Sequence, residues 1–267
     1  MIRIFIGFFL IVLVGGVVMQ KVSSGESKTR VFFIGNSLTS INNLPGLIVQ
    51  LAKSRQHVME YEMAAPGGYR FSQHAVDPAT ARKIKEGKWD FVVLQEQSQL
   101  PAFSKEKVQS EVYPYAKNLC ASIRKANLRT HIVFYITMAR KNGDPQNLAF
   151  SNELATYGGM QQRINHSYLA MARNNSASIA PVGQAWAAVR TQQPSLELYA
   201  DEAHPNQTGT YLAACVFYGV FFQDSPVGLP CPLSLNKQNA LALQKAAEKS
   251  LKDTQVYLFT PKAKKHL

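Results

Sequence analysis

Two stretches far apart in this 267-residue chain hold side chains that together could perform nucleophilic acyl transfer. One is Tyr199-Ala-Asp201-Glu-Ala-His204-Pro205-Asn206. An aspartate three residues before a histidine can bring its carboxylate to one ring nitrogen and leave the other free. Such a carboxylate fixes the tautomer and stabilises the imidazolium formed when the ring takes a proton. The other is Phe33-Ile-Gly35-Asn36-Ser37-Leu38-Thr39. A serine on a tight turn out of a buried strand is held at the top of a sheet. Its own N–H then faces the same space, as an oxyanion donor must. Each stretch alone also fits a plain turn that caps a helix.

Further donors come from two other places. Ala65-Pro66-Gly67-Gly68 offers glycine N–H groups that can approach a ligand closely. Leu94-Gln95-Glu96-Gln97-Ser98 offers side-chain amides, and strand alternation puts Gln95 and Gln97 on one side.

These groups meet only if the intervening elements carry them to one edge. Short apolar, β-rich runs occur at Thr29–Ile34, His57–Met63, Trp89–Leu94, His131–Ile136 and Ala177–Val182. Helical spacing of apolar residues lies between them, at Leu44–Ser54, Ala79–Glu86, Lys107–Ala126 (despite Pro114) and Tyr157–Asn174, with a short helix at Gln184–Arg190. Strands alternating with helices imply a parallel sheet covered on both faces, with ligands beyond the carboxyl ends of its strands. After Pro205, Gly209, Leu212, Ala213, Val216, Phe217 and Val220 define one apolar helix face, capped by Asn206 or Thr208. A last amphipathic helix spans Asn236–Asp253. Ser37 follows strand one, the glycines strand two, the amides strand three, and Asp201–His204 come after strand five.

In that order the motifs resemble those of the SGNH (GDSL-like) hydrolases over roughly residues 29–223. Gly35-Asn36-Ser37-Leu38 resembles the family's Gly-Asp-Ser-Leu block, with Asn for Asp. Gly67 or Gly68 resembles its glycine block, and Asp201-x-x-His204 its Asp-x-x-His block. The third block, normally Gly-x-Asn-Asp, departs: here it reads Gln95-Glu-Gln-Ser98. Simple alignment puts Gln97 at the Asn position, whereas the end of the buried strand picks Gln95. The resemblance implies an α/β fold, a three-layer α/β/α sandwich with a central five-stranded parallel sheet of flavodoxin-like type. It implies a serine ester hydrolase in which His204 takes the Ser37 proton, Asp201 holds His204, and the oxyanion meets the N–H groups of Ser37 and Gly68 plus the Gln95 or Gln97 amide. It requires no metal and no organic cofactor. Superfamily acetylesterases acting on sugars also carry Gln near this point, so the expected substrate is a small-molecule or glycan ester bearing a small acyl group. A lysophospholipase or thioesterase is the alternative enzyme, and a glycan-binding protein on the same scaffold the non-enzymatic one. A flavodoxin-type cofactor binder would want a better phosphate loop than Asn36-Ser-Leu-Thr-Ser-Ile.

Residues 1–27 read as a secretory signal or an amino-terminal membrane anchor: Arg3, then an apolar run from Ile4 to Met19, then polar residues. That run of about 16 residues is short for a full span of roughly 20. Either way the expected location is outside the cytoplasm, secreted or periplasmic, with membrane contact only through this segment. Residues 28–259 form the single hydrolase domain and 260–267 a basic tail. The net charge of +12 is spread along the chain, without the patch or motif that nucleic-acid binding needs. Cys120, Cys215 and Cys231 lack metal-type spacing, and the oxidising compartment permits one disulfide, Cys215 with Cys231. Arg140 is expected at the pocket rim, and His74 with Asp77 as a local polar contact. His57, His131 and His166 are expected to be structural. Trp186 and Trp89 read as packing, with Trp186 the better sugar platform. Asn165, Asn174 and Asn206 begin sequons, and Asn206 stands too near His204 to carry a glycan.

Overall fold

A computed structural model describes residues 28–231 and 235–254. The segment expected at 1–27 and the tail at 260–267 lie outside them. In chain order the elements are β1 (Thr29–Ile34), α1 (Ser37–Ser40), α2 (Leu44–Ser54), β2 (Met59–Ala64), α3 (Phe71–His74), α4 (Pro78–Lys85), β3 (Phe91–Leu94), α5 (Lys105–Glu111), α6 (Tyr113–Ala126), β4 (His131–Tyr135), α7 (Tyr157–Asn174), β5 (Ser178–Ala180), α8 (Val182–Gln192), α9 (Gln207–Phe222) and α10 (Lys237–Asp253).

The five strands pair in parallel in the order β2-β1-β3-β4-β5. Alternation divides the core. Val31, Phe33, Val93, Val133 and Tyr135 pack toward α2, α8, α9 and α10, while Phe32, Ile34, Val92, Leu94, Ile132 and Phe134 pack toward α4, α6 and α7. This is the three-layer sandwich expected from the sequence. Burial on both faces is why the strands read as continuous apolar runs.

The expected helix over Lys107–Ala126 is two helices that meet at Val112. Pro114 has no N–H to give the preceding turn, and its ring clashes with the carbonyl four residues back, so it starts a helix there instead of continuing one. The helix after Pro205 is also more than one-faced. Every residue from Gly209 to Phe221 is buried, because α2 and α10 both cover it. Asn206 rather than Thr208 is its cap, accepting from the Gly209 N–H at 2.9 Å.

Trp186 is fully buried, edge-on to Tyr199 at 5.0 Å, so it is core and not a sugar platform. Trp89 is buried too, with its indole N–H donating to the Lys83 carbonyl at 2.7 Å. α9 approaches this wall so closely that a Cβ on Gly209 would stand 2.3 Å from Trp186 and 2.4 Å from the Leu198 carbonyl oxygen. Gly209→Ala is therefore expected to cost about 1–3 kcal/mol, as overpacking does. Thermal unfolding measures this, and a change under about 0.5 kcal/mol contradicts it.

Candidate active site

β1 ends at Ile34, and the Gly35 N–H still pairs with the Ala64 carbonyl at 3.0 Å. The chain then turns through Asn36 into α1. The Asn36 side-chain oxygen caps that helix, accepting from the Leu38 N–H at 3.1 Å. Ser37 stands at the first helical position, half-buried at the carboxyl end of the sheet.

The turn is braced from the neighbouring strand. The Gln95 side-chain oxygen Oε1 accepts from the Asn36 N–H and the Thr39 hydroxyl, both at 2.9 Å. Its NH2 donates to Asn36 Oδ1 at 3.0 Å and to the Glu96 carbonyl. Gln95 is fully buried and both its N–H bonds are committed, which corrects its expected place among the oxyanion donors. Its amide instead shapes the nucleophile turn. A Cβ on Gly35 would lie 2.5 Å from the Gln95 oxygen, so glycine there makes room for the brace. Asn36 donates from Nδ2 to the Tyr69 carbonyl at 2.9 Å, joining this turn to the glycine loop. An aspartate at position 36 could accept but could not make that donation.

The other half of the site comes from the loop before α9. Asp201 Oδ1 accepts from the N–H groups of Ala203 and His204, both at 2.7 Å, and Oδ2 lies 2.9 Å from His204 Nδ1. The two backbone N–H groups, His204's first, and then the ring hold the Asp201 carboxyl down at about 2. His204 Nε2 lies 3.0 Å from Ser37 Oγ. The structure thus brings Ser37, His204 and Asp201 into one hydrogen-bonded line.

Several contacts hold this loop in place. The Lys141 N–H donates to the Glu202 carbonyl at 2.9 Å, and the Tyr199 hydroxyl to the Ala139 carbonyl at 2.6 Å. Asn42 Nδ2 reaches from just beyond α1 to the Pro205 carbonyl at 3.0 Å and Thr210 Oγ1 at 2.9 Å. Asn42 was not legible as a site residue, because it acts through contacts far along the chain. Asn36 and Tyr199 stand in the motif stretches, but their bracing contacts to Tyr69 and Ala139 are equally distant in sequence.

Gly68 sits at φ 71°, in the left-handed region that favours glycine. Among the described residues, the Ser37 and Gly68 N–H groups have no hydrogen-bond acceptor. Gln97 is half-buried. Its oxygen accepts from the N–H groups of Gln99 and Leu100, and its NH2 donates to Gln99 Oε1 at 3.0 Å, leaving one N–H uncommitted.

His74 is buried, with Nε2 at 2.8 Å from the Gly35 carbonyl and Nδ1 at 3.2 Å from Thr80 Oγ1. Thr80 donates to Asp77, so His74 meets Asp77 through that hydroxyl and supports the nucleophile turn from below. Arg140 is partly buried, 3.8 Å from Asp144. The three cysteines are free thiols, so Cys215 and Cys231 are not bridged, and burial raises the Cys215 thiol out of the reactive range. Among the described residues no cluster could hold a metal ion, and no helix is long and apolar enough to cross a membrane.

Glu96 is fully buried beside these groups, and desolvation raises its carboxyl to about 7 despite N–H donors from Gln97 and Phe71. The folded state therefore binds more protons than the unfolded state between the ordinary 4.5 and about 7. Stability on this account falls as pH rises through that window, by about 3 kcal/mol in all. His74, lowered by burial, acts in the opposite sense at slightly acid pH. The Glu96 contribution is thus the difference between wild type and Glu96→Gln in denaturant unfolding at pH 5 and pH 8. Glu96→Gln is expected to gain on wild type as pH rises, and equal pH dependences would contradict this.

No family model and no curated protein matches the sequence. Solved structures do resemble it. A DUF4886 family protein from Bacteroides uniformis aligns with a TM-score of 0.71 at 18% identity, covering 84% of this chain and 95% of its own. A catalytic mutant of an acetylxylan esterase from Geobacillus stearothermophilus gives 0.51 at 16% identity, covering 74% and 94%. The acetyl xylan esterase AlAXEase gives 0.50 at 16%, covering 71% and 98%. These likenesses show the fold alone, a three-layer α/β/α sandwich like that of SGNH hydrolases.

Proposed function

We propose that this chain is a serine ester hydrolase that removes small acyl groups, acetyl foremost, from carbohydrate esters. The observation that carries the reading is the line Ser37 Oγ, His204 Nε2, His204 Nδ1, Asp201 Oδ2, with contacts of 3.0 and 2.9 Å. In this mechanism His204 takes the Ser37 proton as the hydroxyl attacks the ester carbonyl. Asp201 holds the ring in the tautomer that leaves Nε2 free to accept. The oxyanion meets the unengaged N–H groups of Ser37 and Gly68 and the remaining N–H of Gln97. His204 then returns the proton to the leaving alcohol, and water releases the acyl group by the same route. The exported location read from residues 1–27 belongs to the same proposal.

The preference for sugar acetates draws support from the two acetylxylan esterases that share the fold. Hydrolysis of p-nitrophenyl acetate, butyrate and octanoate, beside acetylated xylo-oligosaccharides, tests it. Falling kcat/KM with acyl length, and acetate release from the oligosaccharides, are expected. Octanoate as the best substrate would replace this reading with a lipid esterase.

A further inference from the structure

Glu96 is the residue the mechanism leaves unused. It lies two residues past β3, between Gln95, which braces the nucleophile turn, and Gln97, a proposed oxyanion donor. Its side chain turns back into the protein and is wholly shielded from water. Oε1 accepts from the Gln97 N–H at 2.6 Å and the Phe71 N–H at 3.1 Å, and Oε2 from the same Phe71 N–H at 3.2 Å. Phe71 begins α3, directly after the loop that carries Gly68.

We infer that Glu96 is a positioning residue whose ionised carboxylate clamps the Gly68 loop to the Gln97 segment, so that the two donors are set together only while that carboxylate is charged. This rests on the esterase reading for its kinetic consequence, while the clamp itself is a matter of the two N–H contacts.

Every hydrogen-bond partner of the carboxylate among the described residues is a donor. A proton on either oxygen has no acceptor to meet and weakens the acceptor that the N–H groups need. The charged and titratable groups facing it are few. Arg70, from the glycine loop, favours the ionised form. Tyr168, from α7, has its hydroxyl oxygen 2.9 Å from the Glu96 N–H and stays un-ionised because burial raises it far above its usual value. The neighbours on the strand end, Gln95 and Gln97, are neutral. Burial opposes the charge, so the group titrates near neutrality and the clamp opens in mild acid.

Activity between pH 5 and pH 9 on p-nitrophenyl acetate, for full-length wild type and Glu96→Gln, reads this out. Log kcat/KM of wild type is expected to fall more steeply in acid than that of Glu96→Gln, which lacks the titrating carboxylate. At pH 8 the variant has kcat lowered about ten- to hundredfold, since a misplaced donor costs on that scale, with KM within about threefold. Superimposable profiles and equal kcat would overturn the inference. Amide hydrogen exchange in wild type supplies a readout that needs no turnover. Protection at Phe71 and Gln97, corrected for intrinsic rates, is expected to drop as pH falls through about 7, and unchanged protection would sink the clamp. If no ester is hydrolysed and Ser37 proves unreactive, the esterase reading fails, and the exchange data still decide for or against Glu96.

Discussion

Ser37→Ala is expected to lower kcat for ester hydrolysis by a factor on the order of 10⁴–10⁶ while the protein stays folded. The range is that of single removals in triads that act as a unit, where losing one member costs nearly as much as losing all. His204→Ala belongs in the same range, because Oγ then has no base within reach. Combining the two substitutions is expected to add little to either. Asp201→Asn retains shape but gives an amide where the ring needs a carboxylate, and about 10⁴ is the expected loss. Asp201 is more than half exposed, so water replaces part of what it supplies, and its effect is expected to be the smallest of the three. Steady-state kinetics with circular dichroism checks each case. Retention of more than about a tenth of wild-type kcat by Ser37→Ala would remove the nucleophile from this account.

Gln95→Ala is expected to have the largest effect on stability, about 3–5 kcal/mol. The substitution leaves the buried Asn36 N–H, Asn36 Oδ1 and Thr39 hydroxyl each short of a partner, at roughly 1–3 kcal/mol apiece before relaxation. For a chain of this size that is a drop in Tm of about 6–20 °C. Activity should fall with it even where the variant is folded, because the Asn36 turn is what aims Ser37. Gln95→Glu is no rescue: its second oxygen would face Asn36 Oδ1 and the Glu96 carbonyl, both acceptors. A Tm change under about 2 °C for Gln95→Ala would show that the brace is dispensable.

The comparison between sequence and structure follows from which signals are local. β1 and α2 were legible to the residue, since Val31–Ile34 is an unbroken apolar run and Leu44–Ser54 an amphipathic one. The Asp201 and His204 pairing was also legible, because three residues of chain suffice to make it. β2 was displaced by two residues at its start and one at its end, as expected of an edge strand with weak alternation. Gln95 was misread for a physical reason. A side-chain amide at a strand end looks the same in sequence whether its N–H groups face the cleft or the turn beneath it. Only the Asn36 Oδ1 and Glu96 carbonyl contacts decide between them. Asn36 stands where the resembled block has Asp, and Gln95 braces it from the strand end through two hydrogen bonds. Glu96 was passed over because a glutamate between two glutamines reads as a polar loop, whereas here it is buried, as Gln95 is.

Covalent trapping is the most direct test of the central claim that Ser37 is an activated nucleophile. The full-length protein would be treated with a fluorophosphonate at pH 8 and mapped by mass spectrometry, beside His204→Ala. The account predicts a single stoichiometric adduct on Ser37, formed at least about a hundredfold more slowly in His204→Ala, since general-base help is worth at least that much. An unmodified Ser37, or labelling at the same rate without His204, would contradict it.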